Sequence, residues 1–344
     1  MMGTVRMPFR EEETEDHGFY TDKGGVPAPV FGYPVSPKEN MRALYSGQPV
    51  QWMPRARAER CYVSLDILPD SVARSPSGGR DLFGVEWVYV PEAGGSMVRP
   101  GQPMLPDVTQ WEQVLTFPDV ASWDWSSCRL RNEPNMDPDR PVSLVLFNGL
   151  FERLIALMDF GNAAMALIDE ETIRSVCALF DRLCSLYEDI IFRCKQNFDI
   201  DLITFHDDWG GQRAPLFSTE TCRQMLIPWI TRLAAFCHRH GLYFEQHSCG
   251  CVASFLPLMI DAGVDSWDGQ DDANDKFDLI RRYGDRIHIL VAPPPFPEGS
   301  DPEEMEQAAA TLLCKVGQNA LLSRNRGGPA AGPDSVPIES AAVL

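Results

Sequence analysis

The chain has no run of about 18 consecutive apolar residues, the length a membrane-spanning helix needs, and its opening MMGTVRMPFREEETEDHGFY lacks the apolar core of a secretory signal. A cytoplasmic protein with no membrane partner is therefore expected. Basic residues are scarce: 30 Lys and Arg against 49 Asp and Glu leave a net charge of −19, which repels a phosphate backbone and gives no footprint for nucleic acid. No G-x-G-x-x-G follows any strand-like run, so a dinucleotide cradle has no support, and no segment repeats at a fixed period. A disulfide framework is missing too. The ten cysteines are scattered, and Cys177, Cys194 and Cys237 fall on apolar helical faces, as small core residues of a reduced protein do. The exception is the close pair Cys249 and Cys251 beside His247.

Apolar material is ample, at 44 % of residues with 18 Phe and 8 Trp, which supports a large core and excludes global disorder. A length of 344 residues allows one large domain or two small ones. Residues 1–37 are polar, with Gly and Pro, and read as an N-terminal arm. KENMRALYSG (38–47) predicts a short helix closed by Gly47, and 48–140 is irregular and Pro-rich, with strand-like pieces such as LFGVEWVYV (82–90).

From residue 142 short apolar strands alternate with helices of period near 3.6. VSLVLF (142–147) precedes helices at 150–158 and about 171–195, the second with Val176, Phe180, Leu183, Ile190 and Cys194 on one stripe. LITFH (202–206) leads to a helix near 219–239 with Pro228 in its first turns or at a kink. LYFEQH (242–247), a helix at 252–262, VDSW (264–267), a helix at 275–283, RIHILV (287–292), a helix at 302–316 and NALLS (319–323) complete the alternation, with Gly263 and Gly284 as stops. Such alternation implies a parallel α/β sheet, closed as a barrel or open and doubly wound.

In a barrel, chemistry sits on the loops after the strands, and three of these are unusually polar: His206 to Gln212, Glu245 to Cys251, and Asp265 to Gln270. In extended backbone His247 and Cys249 point to the same side and can chelate one ion; Glu245 shares that parity, and Cys251 does so only if Gly250 does not turn the chain. A thiolate with an imidazole selects a borderline-soft metal, with zinc the default. The ordinary alternative is a core His beside buried thiols. Asp207 and Asp208 offer two carboxylates after an apolar strand, as general base and partner, substrate anchor, or orienter of a ligating His. The ordinary alternative for them is a helix N-cap and loop solvation.

The run DLITFHDDWGGQRAPLFSTETCRQMLIPWITRLAAFCHRHGLYFEQHSCGCVASFLPLMIDAGVDSWDGQ resembles the uroporphyrinogen decarboxylase superfamily in its methyltransferase branch, in which D-D-W-G, H-S-C-G and A-G-V-D segments follow one another in this order. Weaker similarity through KENMRAL, DLFGVEW and FERLIALMDF extends the resemblance over most of 38–323. It implies a (β/α)8 TIM barrel as a single domain over 38–344. It implies His247 and Cys249 as zinc ligands and Asp207, Asp208 and Gln270 as pocket residues. From their places at the same strand ends, Glu245 is the candidate third ligand and, with Asp207 and Asp208, a candidate catalytic carboxylate, and His206 and Gln212 join Gln270 as candidate substrate-binding residues. The implied reaction moves a methyl group between a small methylated compound or a thiol and a corrinoid (cobalamin) on a partner protein, with zinc lowering the pKa of a bound thiol. A homodimer is compatible with it.

Two departures matter. Thiol-activating relatives carry a further Cys after the last strand, where this chain reads Leu321-Leu322-Ser323-Arg324-Asn325-Arg326, so Glu245 or Cys251 completes the site or zinc has been lost. The Gly- and Pro-rich end with its IESAAVL run leaves the family's terminal helix in question. The porphyrinogen decarboxylases have an Arg-rich motif near the N-terminus; Gln51-Trp52-Met53-Pro54-Arg55-Ala56-Arg57 keeps two arginines without the motif, which makes metal-free decarboxylation the weaker expectation. A degenerate relative that only binds a corrinoid protein or a small ligand is the non-catalytic alternative.

Overall fold

A computed structural model describes residues 16–20, 28–31, 35–51, 54, 56–91, 95–291 and 320–322. In chain order the strands are β1 (Asp16–Tyr20), β2 (Ala28–Phe31), β3 (Cys61–Tyr62), β4 (Gly79–Arg80), β5 (Glu86–Val90), β6 (Gly95–Val98), β7 (Val142–Leu146), β8 (Leu202–His206), β9 (Tyr243–Ser248), β10 (Ser266–Gly269), β11 (His288–Val291) and β12 (Ala320–Leu322). The helices that matter here are α1 (Pro37–Tyr45), α2 (Phe151–Met158), α3 (Ile173–Phe198), α4 (Ile227–Arg239), α5 (Leu256–Asp261) and α6 (Lys276–Tyr283). The expected helix at 302–316, Arg55 and the stretch 323–326 lie outside the described residues. Among the described residues no helix is long and apolar enough to cross a membrane.

The chain divides into two compact units. One comprises 1–62, 135–143 and 265–344. Its strands β10, β11 and β12 pair in parallel in that order, and β3 pairs in parallel with the start of β7. Helix α1 begins where the sequence says it should. Ser36 caps it with Oγ accepting from the Glu39 amide at 3.2 Å, while the Glu39 carboxylate accepts from the Ser36 amide at 2.8 Å, a reciprocal capping box. Gly47, at φ +65°, turns the chain away after it. Leu44, Val50, Ala56 and Leu290 form an apolar cluster in this unit.

The other unit comprises 63–134 and 144–264. Its strands run in the order β9-β8-β7, and β8 pairs in parallel with β9 over five residues in register. All five residues of β8 are buried, as expected of a strand covered on both faces. Helix α3 spans 26 residues, and its stripe of Val176, Phe180, Leu183, Ile190 and Cys194 is fully buried. It ends at Asp199, which takes the left-handed conformation and is held by Lys195 at 2.6 Å. The predicted helix at 219–239 contains a π-helical turn over Cys222–Leu226, and Pro228 stands in the first turn of α4 directly after it. The wide turn absorbs the amide that Pro228 lacks.

The irregular stretch before β7 carries a small antiparallel sheet, β4-β5-β6, and a buried ionic anchor. Arg153 of α2 is fully buried and pairs with Asp70 and, at 3.0 Å, with Asp81. Asp81 also accepts from the amides of Phe83 and Val85 and from the Trp87 indole. Leu82 to Val85 therefore wraps a carboxylate, and the strand expected from residue 82 begins only at Glu86.

Candidate metal centre

The centre grows from the register of β8 and β9, which sets Thr204 opposite Glu245 and His206 opposite His247. The two imidazoles stack, with ring centroids 4.3 Å apart and planes 17° from parallel. Beyond the last pair the two chains stay joined. The Asp207 amide donates to the His247 carbonyl at 3.1 Å, the Cys249 amide to Asp208 Oδ1 at 2.6 Å, and the Trp209 amide to Ser248 Oγ at 2.9 Å.

The loops then cross backbone on backbone. A Cβ at Gly250 would stand 2.1 Å from the Gly210 carbonyl oxygen, and one at Gly210 would stand 2.7 Å from the Cys251 nitrogen. Gly250 has φ +76°, which turns the chain, so Cys251 leaves the extended parity and donates its amide to Gly211 O at 2.8 Å. The W-G-G and C-G sequences are thus the requirement of a close crossing.

This framework gathers ligand atoms of His206, Asp208 and His247 within 4.8 Å of one another. Asp208 Oδ1 is 3.7 Å from His247 Nε2, and Cys249 Sγ is 3.3 Å from the same nitrogen. Donors on a tetrahedral ion with bonds of about 2.1 Å lie about 3.4 Å apart, so the two spacings to His247 Nε2 suit one metal. Both imidazoles are more than nine-tenths buried, while Asp208 and Cys249 are partly exposed. Two histidines, a carboxylate and a neighbouring thiol form a donor set that fits zinc.

His206 is oriented from outside the group: its Nδ1 lies 2.9 Å from Glu152 Oε2. Glu152 is the second residue of α2, and the start of that helix is fixed by Asp207. The Asp207 carboxylate accepts from the amides of Phe151 at 3.1 Å and Glu152 at 2.8 Å and from the Trp209 indole at 2.8 Å. Burial pushes the Asp207 carboxyl up to about 7 and the charge of Glu152 adds to this, against the three donors that hold it down. Gly149 makes the contact feasible, since a Cβ there would fall 2.6 Å from Asp207 Cβ; Tyr187 of α3 anchors this turn through the Asn148 carbonyl at 2.7 Å.

Of the residues singled out in the sequence, the structure brings together His247, Asp208 and His206, with Cys249 against His247. Asp207, expected in the same pocket, faces α2 instead. Successive side chains of extended backbone point opposite ways, so His206 and Asp208 share one side and Asp207 takes the other. Glu245 is 2 % exposed and accepts from Thr204 Oγ1 at 2.8 Å; it is not one of the three gathered ligands. Gln212 is exposed on the loop after β8, and Gln270 follows β10 in the other unit, where its carbonyl accepts from Asn274.

No family model and no curated protein matches the chain. Among solved structures it is similar to a methyltransferase from Methanosarcina mazei, at 14 % identity and a TM-score of 0.58 over 90 % of this chain and 96 % of that one. The two share a fold. A sugar phosphate isomerase/epimerase from Parabacteroides distasonis is a weaker likeness, at 9 % identity and a TM-score of 0.34 over 64 % of this chain and 80 % of that one.

Sequence reasoning gave His206 a substrate role, although the i, i+2 parity that paired His247 with Cys249 also pairs His206 with Asp208. Glu152 was missed. It lies 54 residues from His206, and the sequence offered only its place at the head of an amphipathic helix.

Proposed function

We propose that the chain is a zinc-dependent methyltransferase that moves a methyl group between a small methylated compound or a thiol and a corrinoid carried by a partner protein. The single observation that carries this reading is the convergence of His206, Asp208 and His247, with Cys249 in contact, at the ends of two paired parallel strands. The shared fold and the D-D-W-G and H-S-C-G segments support it. The scaffold of this reading is a closed (β/α)8 barrel over 38–344, with 1–37 as an arm, working in the cytoplasm.

The chain's own residues divide the work. His206, Asp208 and His247 would hold the metal, and Cys249, in contact with His247, would be a fourth donor beside them. Zinc bound there would supply a Lewis acid that lowers the pKa of a thiol. Glu245 lies two residues before His247 on the same strand and accepts from Thr204 on the facing strand. Gln212, on the loop after β8, is the proposed polar contact to substrate.

Metal analysis of the purified protein tests the reading. One zinc per chain is expected, and His247→Ala or Asp208→Ala should abolish stoichiometric zinc while leaving the far-ultraviolet circular dichroism unchanged. Wild-type protein that carries no zinc and takes up none at neutral pH sinks the proposal in favour of metal-free decarboxylation or ligand binding alone.

A further inference from the structure

We infer that Glu152 is a positioning residue that fixes the tautomer and orientation of His206, and that Asp207 acts one step further out by placing Glu152. The inference rests on the reading of His206 as a metal ligand. A ring whose Nδ1–H is held by a carboxylate presents Nε2 as the ligand atom, and such partners raise the basicity of the ligating nitrogen.

Three observations converge. Glu152 Oε2 lies 2.9 Å from Nδ1 of His206, so the carboxylate addresses the nitrogen that points away from a metal bound at Nε2. Glu152 is held independently of that contact, because its amide donates to Asp207 Oδ1 at 2.8 Å and the preceding amide donates to Oδ2 at 3.1 Å. The ring itself is clamped between His247, stacked at 4.3 Å, and Phe147, tilted at 5.3 Å. Packing sets the plane of the imidazole, which leaves the choice of protonated nitrogen to its partners. Glu152 settles that choice toward Nδ1–H, whereas a free imidazole favours no such arrangement.

Asp207 and Asp208 thus serve one histidine-rich centre from opposite sides of a single strand end. Asp208 reaches it directly, and Asp207 reaches it through the head of α2 and Glu152.

The test compares wild type, Glu152→Gln and Glu152→Ala by zinc competition against a chromophoric chelator, alongside imidazole nitrogen NMR of the metal-free proteins. The His206 signals are assigned by their loss in His206→Ala. Wild type should show His206 protonated at Nδ1, and Glu152→Ala should move it toward Nε2–H and weaken zinc by 10- to 100-fold. Glu152→Gln keeps an acceptor without the charge and should recover part of both effects. The urea midpoint should stay within experimental error, because the amide of residue 152 remains to bond Asp207.

Unchanged zinc affinity and tautomer in Glu152→Ala overturns the inference while the metal site stands. Weaker zinc with an unmoved tautomer also overturns it, since Glu152 then acts through structure alone. Wild-type protein without zinc refutes the metal reading instead, and the NMR comparison still decides what Glu152 does to His206.

Discussion

Removing the Asp207 side chain should cost folding stability first and chemistry second. Asp207→Ala strips the acceptor from three buried donors: the amides of Phe151 and Glu152 and the Trp209 indole. A hydrogen bond to a charged or half-charged acceptor contributes about 1 kcal/mol or more net, and a buried donor left without a partner costs about 1–3 kcal/mol. The N-cap residue Leu150 offers no side-chain bond, so Asp207 acts as the acceptor for the first two amides of α2, and losing such a cap costs about 1 kcal/mol in comparable helices. These contributions overlap, since the cap is made of two of the three bonds, and deleting a carboxyl that burial pushes up to about 7 returns part of its desolvation cost, so the expected loss is about 2–4 kcal/mol. Against a typical total of about 5–15 kcal/mol, that is a large fraction. Urea unfolding followed by circular dichroism at pH 7 reads the loss as a lower midpoint with an unchanged slope. A loss under about 1 kcal/mol would refute the capping role. It would return Asp207 to the list of carboxylates available for chemistry.

Two further perturbations test other parts of the unit. Gly250→Ala places a Cβ 2.1 Å from the Gly210 carbonyl at φ +76°, and should cost roughly 3 kcal/mol or more together with zinc uptake. Gly47→Ala, also at positive φ but with nothing within 4 Å, should cost only about 1 kcal/mol, and equal melting temperatures for the two variants would contradict the crossing. Arg153→Met leaves Asp70 and Asp81 buried without their cation, at about 3–5 kcal/mol. Burial holds the Asp70 carboxyl above its ordinary value of 3.8 against the pull of Arg153. A carboxyl raised in this way contributes stability in full below that ordinary value and loses it as pH rises through the folded one. The Arg153→Met deficit should therefore be smaller at pH 4 than at pH 7, and a deficit that grows on acidification would count against the buried pair.

Periodicity alone located the regular part of this chain, because its strands are short, apolar and punctuated by glycine. LITFH is β8 residue for residue, and the buried stripe of α3 is the one its 3.6-residue spacing predicts. The site was legible only as far as local parity reaches. His247 and Cys249 declared themselves as an i, i+2 pair, and His206 with Asp208 obeys the same rule, yet nothing local says that the two pairs face each other. That comes from the register of β8 with β9. Whether Asp207 or Asp208 points at the histidines is equally a matter of which side of the strand the sheet leaves open. Glu152 depends on a turn after β7, a tyrosine on α3 and a missing Cβ at Gly149, three determinants spread over more than thirty residues of sequence.

The crossing of Gly210 over Gly250 also bears on how such a site can change over time. Elsewhere in a core, a substitution that adds bulk is offset by a neighbour that gives some up. Here both partners already carry a single hydrogen, and what lies beyond them is main chain. Neither loop can accept a side chain at the contact in exchange for anything the other could lose, so variation in this centre is channelled to the positions on either side. Those positions are the partly exposed Cys249 and Cys251, whose main chain holds the crossing while their side chains do not, so new donor chemistry can be tried there without unlocking the frame.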